Sequence, residues 1–286
     1  MLGKPPAFAV NQWIITMAYL ERNGASLYYD LLECTPPWME NPGTVLFCHG
    51  VGTNADIWSD WLSVLAGSYR ILRFDLRGFG RSTVPGAGFD WSFELLMDDV
   101  LAVADVACSG GKFHYVGESL GGTLGLALAD AHGKRLHSLT ACSTAHRGGD
   151  IRKVADWRAF IEKEGMDAWS EQMMPLRFHD GAVPAPVHRW FHEIQRGSSA
   201  DAILDLADLL MRADLTESLP GISVPTLLLA PDASPFVSLD ITRDIHTRIP
   251  DCELQVFAGA RHGLACSHGG DCARAVHGFL LRRGFA

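Results

Sequence analysis

Two periodicities alternate along the chain. Short, mostly apolar runs at residues 44–48, 69–74, 114–116, 136–142, 224–230 and 253–257 have the length of strands, and Val45-Leu46-Phe47-Cys48 is apolar without a break, as in a strand buried on both faces. Between them, residues 57–65, 93–107, 120–131, 239–248 and 271–281 carry helical spacing; in the first of these Trp58, Trp61, Leu62 and Leu65 share one face. Strands alternating with helices predict an α/β fold, with a mostly parallel central sheet and helices on both faces. The alternation departs from this plan at two places. Residues 17–32 read as two strands about Asn23-Gly24, a hairpin turn signal, and the Pro-rich residues 35–43 follow as a loop. From residue 145 to 221 no strand pattern occurs, and helical patterns at 154–164, 166–174, 186–196 and 200–213 predict a helical lid inserted between two strands. The expected division is an N-terminal arm at 1–16, a core from 17–144 and 222–286, and the lid at 145–221.

Ligands on such sheets sit beyond the carboxyl ends of the strands, and the Gly-rich loops of this chain fall there. The most telling is Gly117-Glu118-Ser119-Leu120-Gly121-Gly122, with a strand before it and a helix rich in Leu and Ala after it. A tight strand-to-helix turn forces the serine into a strained backbone and points its hydroxyl outward, while the flanking glycines avoid a clash across the turn. A serine hydroxyl is a weak nucleophile at neutral pH and needs a neighbouring base.

The 286 residues suffice for one large α/β domain with an insertion, and 48% hydrophobic and 20% charged residues suit a soluble enzyme. A net charge of −9 argues against a nucleic-acid surface or an anionic membrane as partner. Seven scattered cysteines without a CxxC pair fit a reducing cytoplasm, and no signal peptide or membrane span is read.

His49-Gly50, Asp75-x-Arg77-Gly78-x-Gly80-x-Ser82, Gly117-x-Ser119-x-Gly121-Gly122 and Gly259-Ala260-x-His262 follow one another in the order and at the spacings of the α/β-hydrolase fold superfamily, which the chain resembles over residues 17–284. Within it the chain looks most like the 3-oxoadipate enol-lactonase type and its esterase relatives, through the lid and Ala213-Asp214-Leu215-x5-Gly221-Ile222-x-Val224-Pro225-Thr226. The resemblance implies Ser119 as nucleophile, His262 as its base, and the backbone N–H groups of Leu120 and Val51 as the oxyanion hole. It implies a loop-bracing role for His49, Asp75, Arg77 and Ser82, with Arg77 as a carboxylate clamp the alternative.

The acid departs from the family. Relatives read Gly-x-x-Asp-Pro after the late strand; this chain reads Ala230-Pro231-Asp232-Ala233-Ser234-Pro235, which puts Ser234 at the acid position and Asp232 two residues early. Asp232 is the expected acid if the loop is rearranged; otherwise Ser234 orients His262 as a neutral partner, or the triad is incomplete. A second position used by some relatives holds Ser143-Thr144. The lid's Trp157, Phe160, Trp169, Met173, Met174, Trp190 and Phe191 are read mainly as packing, with an apolar acyl pocket the alternative, His188 and His192 as a solvated face rather than a zinc site, and Arg147, Arg152, Arg177 and Arg189 as solvated surface, with contact to an anionic substrate the alternative. The expected activity is cleavage of a small carboxylic ester or lactone through an acyl-enzyme, with no metal or organic cofactor and a homodimer left open. The alternatives are a ligand-binding, receptor-like protein with weak turnover, and carbon–carbon bond hydrolysis or acyl transfer at the same site.

Overall fold

The computed structural model describes residues 14–285. Its first two strands, β1 (Ile14–Arg22) and β2 (Ala25–Glu33), form the expected hairpin, and Asn23 and Gly24 turn it with φ of 47° and 71°. Residues 1–13 of the expected arm lie outside the described residues. Its last three, 14–16, belong to β1, because pairing with β2 continues out to Ile14 opposite Glu33.

Six more strands follow: β3 (Thr44–Cys48), β4 (Arg70–Phe74), β5 (Phe113–Glu118), β6 (Leu136–Cys142), β7 (Thr226–Pro231) and β8 (Cys252–Phe257). The sheet order is β1-β2-β4-β3-β5-β6-β7-β8, parallel from β4 to β8, with β1 and β2 antiparallel at one edge. Every residue of β3, β5 and β7 is buried. In β3, Leu46 and Cys48 join one apolar layer while Val45 and Phe47 join the other, the period of two expected of a strand covered on both sides.

The helices are α1 (Ser59–Leu65), α2 (Phe93–Cys108), α3 (Leu120–His132), α4 (Trp157–Arg177), α5 (Ala185–Gly197), α6 (Ala200–Arg212), α7 (Leu239–Arg248), α8 (Leu264–Ser267) and α9 (Gly269–Arg282). Leu96, Val100, Leu124 and Leu128 of α2 and α3 pack in the layer on one sheet face; Trp58, Trp61, Val276 and Phe279, from α1 with its entry turn and from α9, pack on the other. Three helices, α4 to α6, connect β6 to β7. The two helical patterns read at 154–164 and 166–174 become α4, kinked where Gly165 leaves helical geometry at φ 83°, ψ 174°. The second half runs past Pro175 to Arg177, three residues beyond the expected end. Among the described residues no helix is long and apolar enough to cross a membrane.

Because the strands from β3 onward run the same way, the loops after β3, β4, β5, β6, β7 and β8 gather at one edge of the sheet, beneath α4 and α6.

Candidate active site

Ser119 lies between β5 and α3 with φ 55° and ψ −116°, a conformation that a non-glycine residue holds only when its surroundings enforce it. Its N–H donates to the Cys142 carbonyl at 2.9 Å and its carbonyl accepts from the Thr123 N–H at 3.0 Å. A Cβ on Gly117 would collide with the Gly121 backbone, and one on Gly121 with the carbonyls of Cys48 and His49, so the turn closes only with glycine at both positions. A Cβ on Gly50 would come within 2.9 Å of the Ser119 Cβ, which shows how closely the loop after β3 passes the serine.

The loop after β8 brings His262 to the same point, its Nε2 3.0 Å from Ser119 Oγ. The ring is buried. Its main chain is pinned by a bond from Ser143 Oγ to the His262 carbonyl (3.0 Å) and by the Gly263 N–H donating to the Arg177 carbonyl (3.0 Å). Phe236 packs on the ring at 4.8 Å between centroids. Burial holds the imidazole well below its ordinary pKa, and the nearby Arg177 charge lowers it further.

The other ring nitrogen, Nδ1, faces Ser234 Oγ at 3.2 Å. That oxygen also receives the backbone N–H groups of Phe236 (3.3 Å) and Val237 (3.2 Å). Asp232, the expected acid, is not brought to the ring. Its carboxylate takes the Gly259 N–H at 2.7 Å, while the N–H groups of Asp232 and Ala233 donate to Phe257 and Ala260. The chain after β7 thus stays paired to the β8 turn through residue 233, which ties Asp232 to that turn and leaves Ser234 to meet the imidazole. Among the described residues no carboxylate hydrogen-bonds to His262.

Neither the Leu120 N–H, at the start of α3 next to Ser119, nor the Val51 N–H, in the loop after β3 that passes close to Ser119, donates to a backbone carbonyl among the described residues. The helix start adds a positive dipole end. His49 accepts the Leu76 N–H at Nε2 (2.9 Å), so the Nδ1 proton goes to the Gly50 carbonyl (2.8 Å); the imidazole fastens loop to loop. Arg77 is locked in a bidentate pair with Asp99 at 2.8 Å, with both residues buried, and so has no fork left for a ligand carboxylate. Asp75 accepts the Ala55 and Arg81 N–H groups at 2.8 Å each and the Arg81 guanidinium.

A cavity of about 30 Å³ opens between Ser119, His262 and the helices α4 and α6. Its walls are mainly apolar, Trp157, Leu210 and Phe236 among them, and beside His262 the one basic side chain on them is Arg177. This arginine, read from sequence as solvated surface, is only 3% exposed. Continuing the helical spacing of 166–174 one turn past Pro175 puts Arg177 four residues after Met173 and three after Met174, on the face of those two buried side chains. Glu118, beside Ser119, is also buried. Burial pushes its carboxyl up to about 7, against the pull of the Arg177 charge and the Ala265 N–H. Among the described residues no cluster of three or more His, Cys, Asp or Glu side chains is placed to hold a metal ion.

Comparison with known proteins adds relatives to this geometry. A family model described as the alpha/beta hydrolase fold matches residues 43–170. The chain is 36% identical over 251 residues to the pimeloyl-[acyl-carrier protein] methyl ester esterase of Aeromonas hydrophila subsp. hydrophila, covering 80% of this chain and 91% of that one. It is 28% identical over 216 residues to 3-oxoadipate enol-lactonase 1 of Acinetobacter baylyi, covering 70% of this chain and 74% of that one. The crystal structure of the enol-lactonase from Burkholderia xenovorans superposes with a TM-score of 0.82 at 24% identity, covering 92% of this chain and 99% of the other.

Proposed function

Because the chain belongs to the α/β-hydrolase fold family, a family of hydrolases among its relatives, we propose that it cleaves a small carboxylic ester or lactone through an acyl-enzyme on Ser119. The observation that carries this reading is the 3.0 Å approach of His262 Nε2 to the hydroxyl of a serine held in a strained turn. In the proposed reaction Ser119 Oγ attacks the carbonyl carbon, and its proton passes to His262 Nε2. The tetrahedral oxyanion takes the N–H groups of Leu120 and Val51. As the carbon–oxygen bond to the leaving group breaks, His262 returns the proton to that oxygen, and water reverses the sequence to free the acid. Removing one oxyanion donor typically costs about 10²–10³ in rate. Residues 145–221 act as a lid, since α4 and α6 roof the cavity. The names of the two curated relatives specify a methyl ester and an enol-lactone, both with an acyl–oxygen bond to break.

The test is labelling by a fluorophosphonate together with turnover of a panel of 4-nitrophenyl esters and simple lactones, for the wild type and Ser119→Ala. Labelling and hydrolysis that both vanish in Ser119→Ala are expected. Hydrolysis that survives the substitution overturns the serine mechanism. A second reading, a ligand-binding protein on a hydrolase scaffold, is favoured by one observation: the neutral Ser234 where a triad acid would stand. It predicts saturable binding of an ester or lactone with neither labelling nor release of product.

A further inference from the structure

Building on the serine-hydrolase reading, we propose that the substrate carries its own carboxylate, that Arg177 binds it, and that the bound anion supplies the negative charge which the missing triad acid does not. Four observations support this. First, Arg177 is buried on the wall of the cavity that holds Ser119 and His262. A buried guanidinium stays charged and is costly to leave without a counter-ion. Second, no carboxylate lies within ion-pair distance of it among the described residues. Its hydrogen-bond partners are neutral: Nε reaches the Gln195 amide oxygen at 3.3 Å and Nη2 the Val51 carbonyl at 3.1 Å, while Nη1 donates to no described residue. The carboxyl whose charge reaches it is buried Glu118, which makes no bond to it and which burial pushes up to about 7, so that below that pH it is largely neutral. Third, the remaining walls are mainly apolar, which suits a short hydrocarbon segment between the scissile carbonyl and a terminal anion. Fourth, Phe191 and Phe236 each lie 5.9 Å from the guanidinium carbon, and Phe236 also packs on His262, so cation and imidazole share one desolvated compartment.

The consequence for the reaction is electrostatic. When Ser119 gives up its proton, His262 becomes an imidazolium facing Arg177 from α4; Ser234 meets its Nδ1, the Phe236 ring packs on it, Asp232 is turned away, and Glu118 beside Ser119, pushed up to about 7 by burial, makes no bond to it. Two cations in a dry pocket repel, and the acid that would offset them in relatives is a serine here. A substrate carboxylate paired with Arg177 removes that repulsion as the imidazolium forms. Arg177 is then a specificity-determining residue whose effect falls on kcat as well as on KM. The Val51 contact ties the same guanidinium to the loop that carries an oxyanion donor, so anion binding and oxyanion geometry are linked through one side chain.

The matched substrates mono-4-nitrophenyl adipate and 4-nitrophenyl hexanoate differ only by a terminal carboxylate in place of a methyl group. The wild type is expected to favour the adipate by about 10- to 100-fold in kcat/KM, the range for hydrogen bonds to a charged group, with part of the gain in kcat. Arg177→Gln should abolish the preference and move the acidic limb of the hexanoate pH profile upward, because His262 loses its cationic neighbour. Arg177→Lys, which keeps the charge without the fork, should retain part of the preference and shows whether Arg177→Gln failed merely by misfolding. Equal turnover of the two esters by a wild type that a fluorophosphonate labels at Ser119 overturns this proposal and leaves the serine mechanism standing. A preference that persists in Arg177→Gln overturns it as well. If the phosphonate does not label and neither ester is cleaved, both readings fall.

Discussion

In the proposed mechanism, Ser234 decides how well His262 can work. Its Oγ has two lone pairs, yet three N–H groups point at it: the imidazole Nδ1–H and the backbone N–H groups of Phe236 and Val237. Two backbone donors converging on one atom would serve a carboxylate better than a hydroxyl. Ser234→Asp is therefore expected to raise kcat on a neutral ester by about 10², within the roughly 10⁴ that a triad acid can contribute. It should also move the acidic limb of kcat/KM toward higher pH, since a carboxylate at Nδ1 stabilises the imidazolium. A pH–rate series on both proteins checks this, and an unmoved limb refutes it. Asp232→Asn, by contrast, should change kcat less than threefold, a small effect by the roughly tenfold-per-1.4 kcal/mol measure, because the Asp232 carboxylate bonds Gly259 and not the ring. Loss of most of the activity in that variant would mean that the loop rearranges on binding substrate. Ser119 and His262 were legible because motif spacing fixes their places at strand ends. The orientation of Asp232 was not, because it depends on how many residues after β7 stay paired to the β8 turn.

At the scale of elements, α4 and α6 lie over the site. The cavity of about 30 Å³ is small beside an ester, so the proposed substrate is expected to displace part of α4 and α6 on entering. Within these helices, α4 is kinked. Gly165 sits at φ 83°, ψ 174°, a region open essentially to glycine alone, and nothing lies within 4 Å of where its Cβ would be. Gly165→Ala thus tests backbone strain without a steric clash, and should cost about 1–3 kcal/mol of stability. Urea unfolding checks it; a variant as stable as the wild type would show that α4 straightens freely at residue 165. The kink was readable as a break between two helical patterns, since glycine interrupts the spacing. The reach of the second half past Pro175 was not, and with it went the placement of Arg177. A proline in the last turn removes one N–H but does not stop a helix whose neighbouring turns are already packed on α5 and the loop after β3.

At the scale of the whole molecule, buried titratable groups oppose one another in setting stability against pH. His49, His114, His137, His146 and His262 are all lowered by burial, His114 to about 3, so each binds a proton more readily in the unfolded chain. Their contribution is fully present above the ordinary histidine range near 6.5 and is lost as pH falls below it. Glu118 acts the other way. Its folded pKa of about 7 stands above the 4.5 of an unperturbed glutamate, so its contribution is complete below pH 4.5 and is lost as pH rises through 7. At about 1.4 kcal/mol per unit that amounts to roughly 3 kcal/mol across the window. Several histidines outweigh one glutamate below pH 6.5, so stability should climb from pH 5 to about 6.5 and fall slightly toward 7. Glu118→Gln keeps an oxygen for the Ala265 N–H but has no proton to lose. Relative to the wild type it should gain stability steadily from pH 4.5 to 7, by an amount approaching that 3 kcal/mol. Urea midpoints measured for both proteins at half-unit intervals test this; a difference that stays constant across the window would mean that Glu118 is already ionised in the folded protein. In that case Arg177 has a counter-ion of its own, and the case for a substrate anion weakens with it.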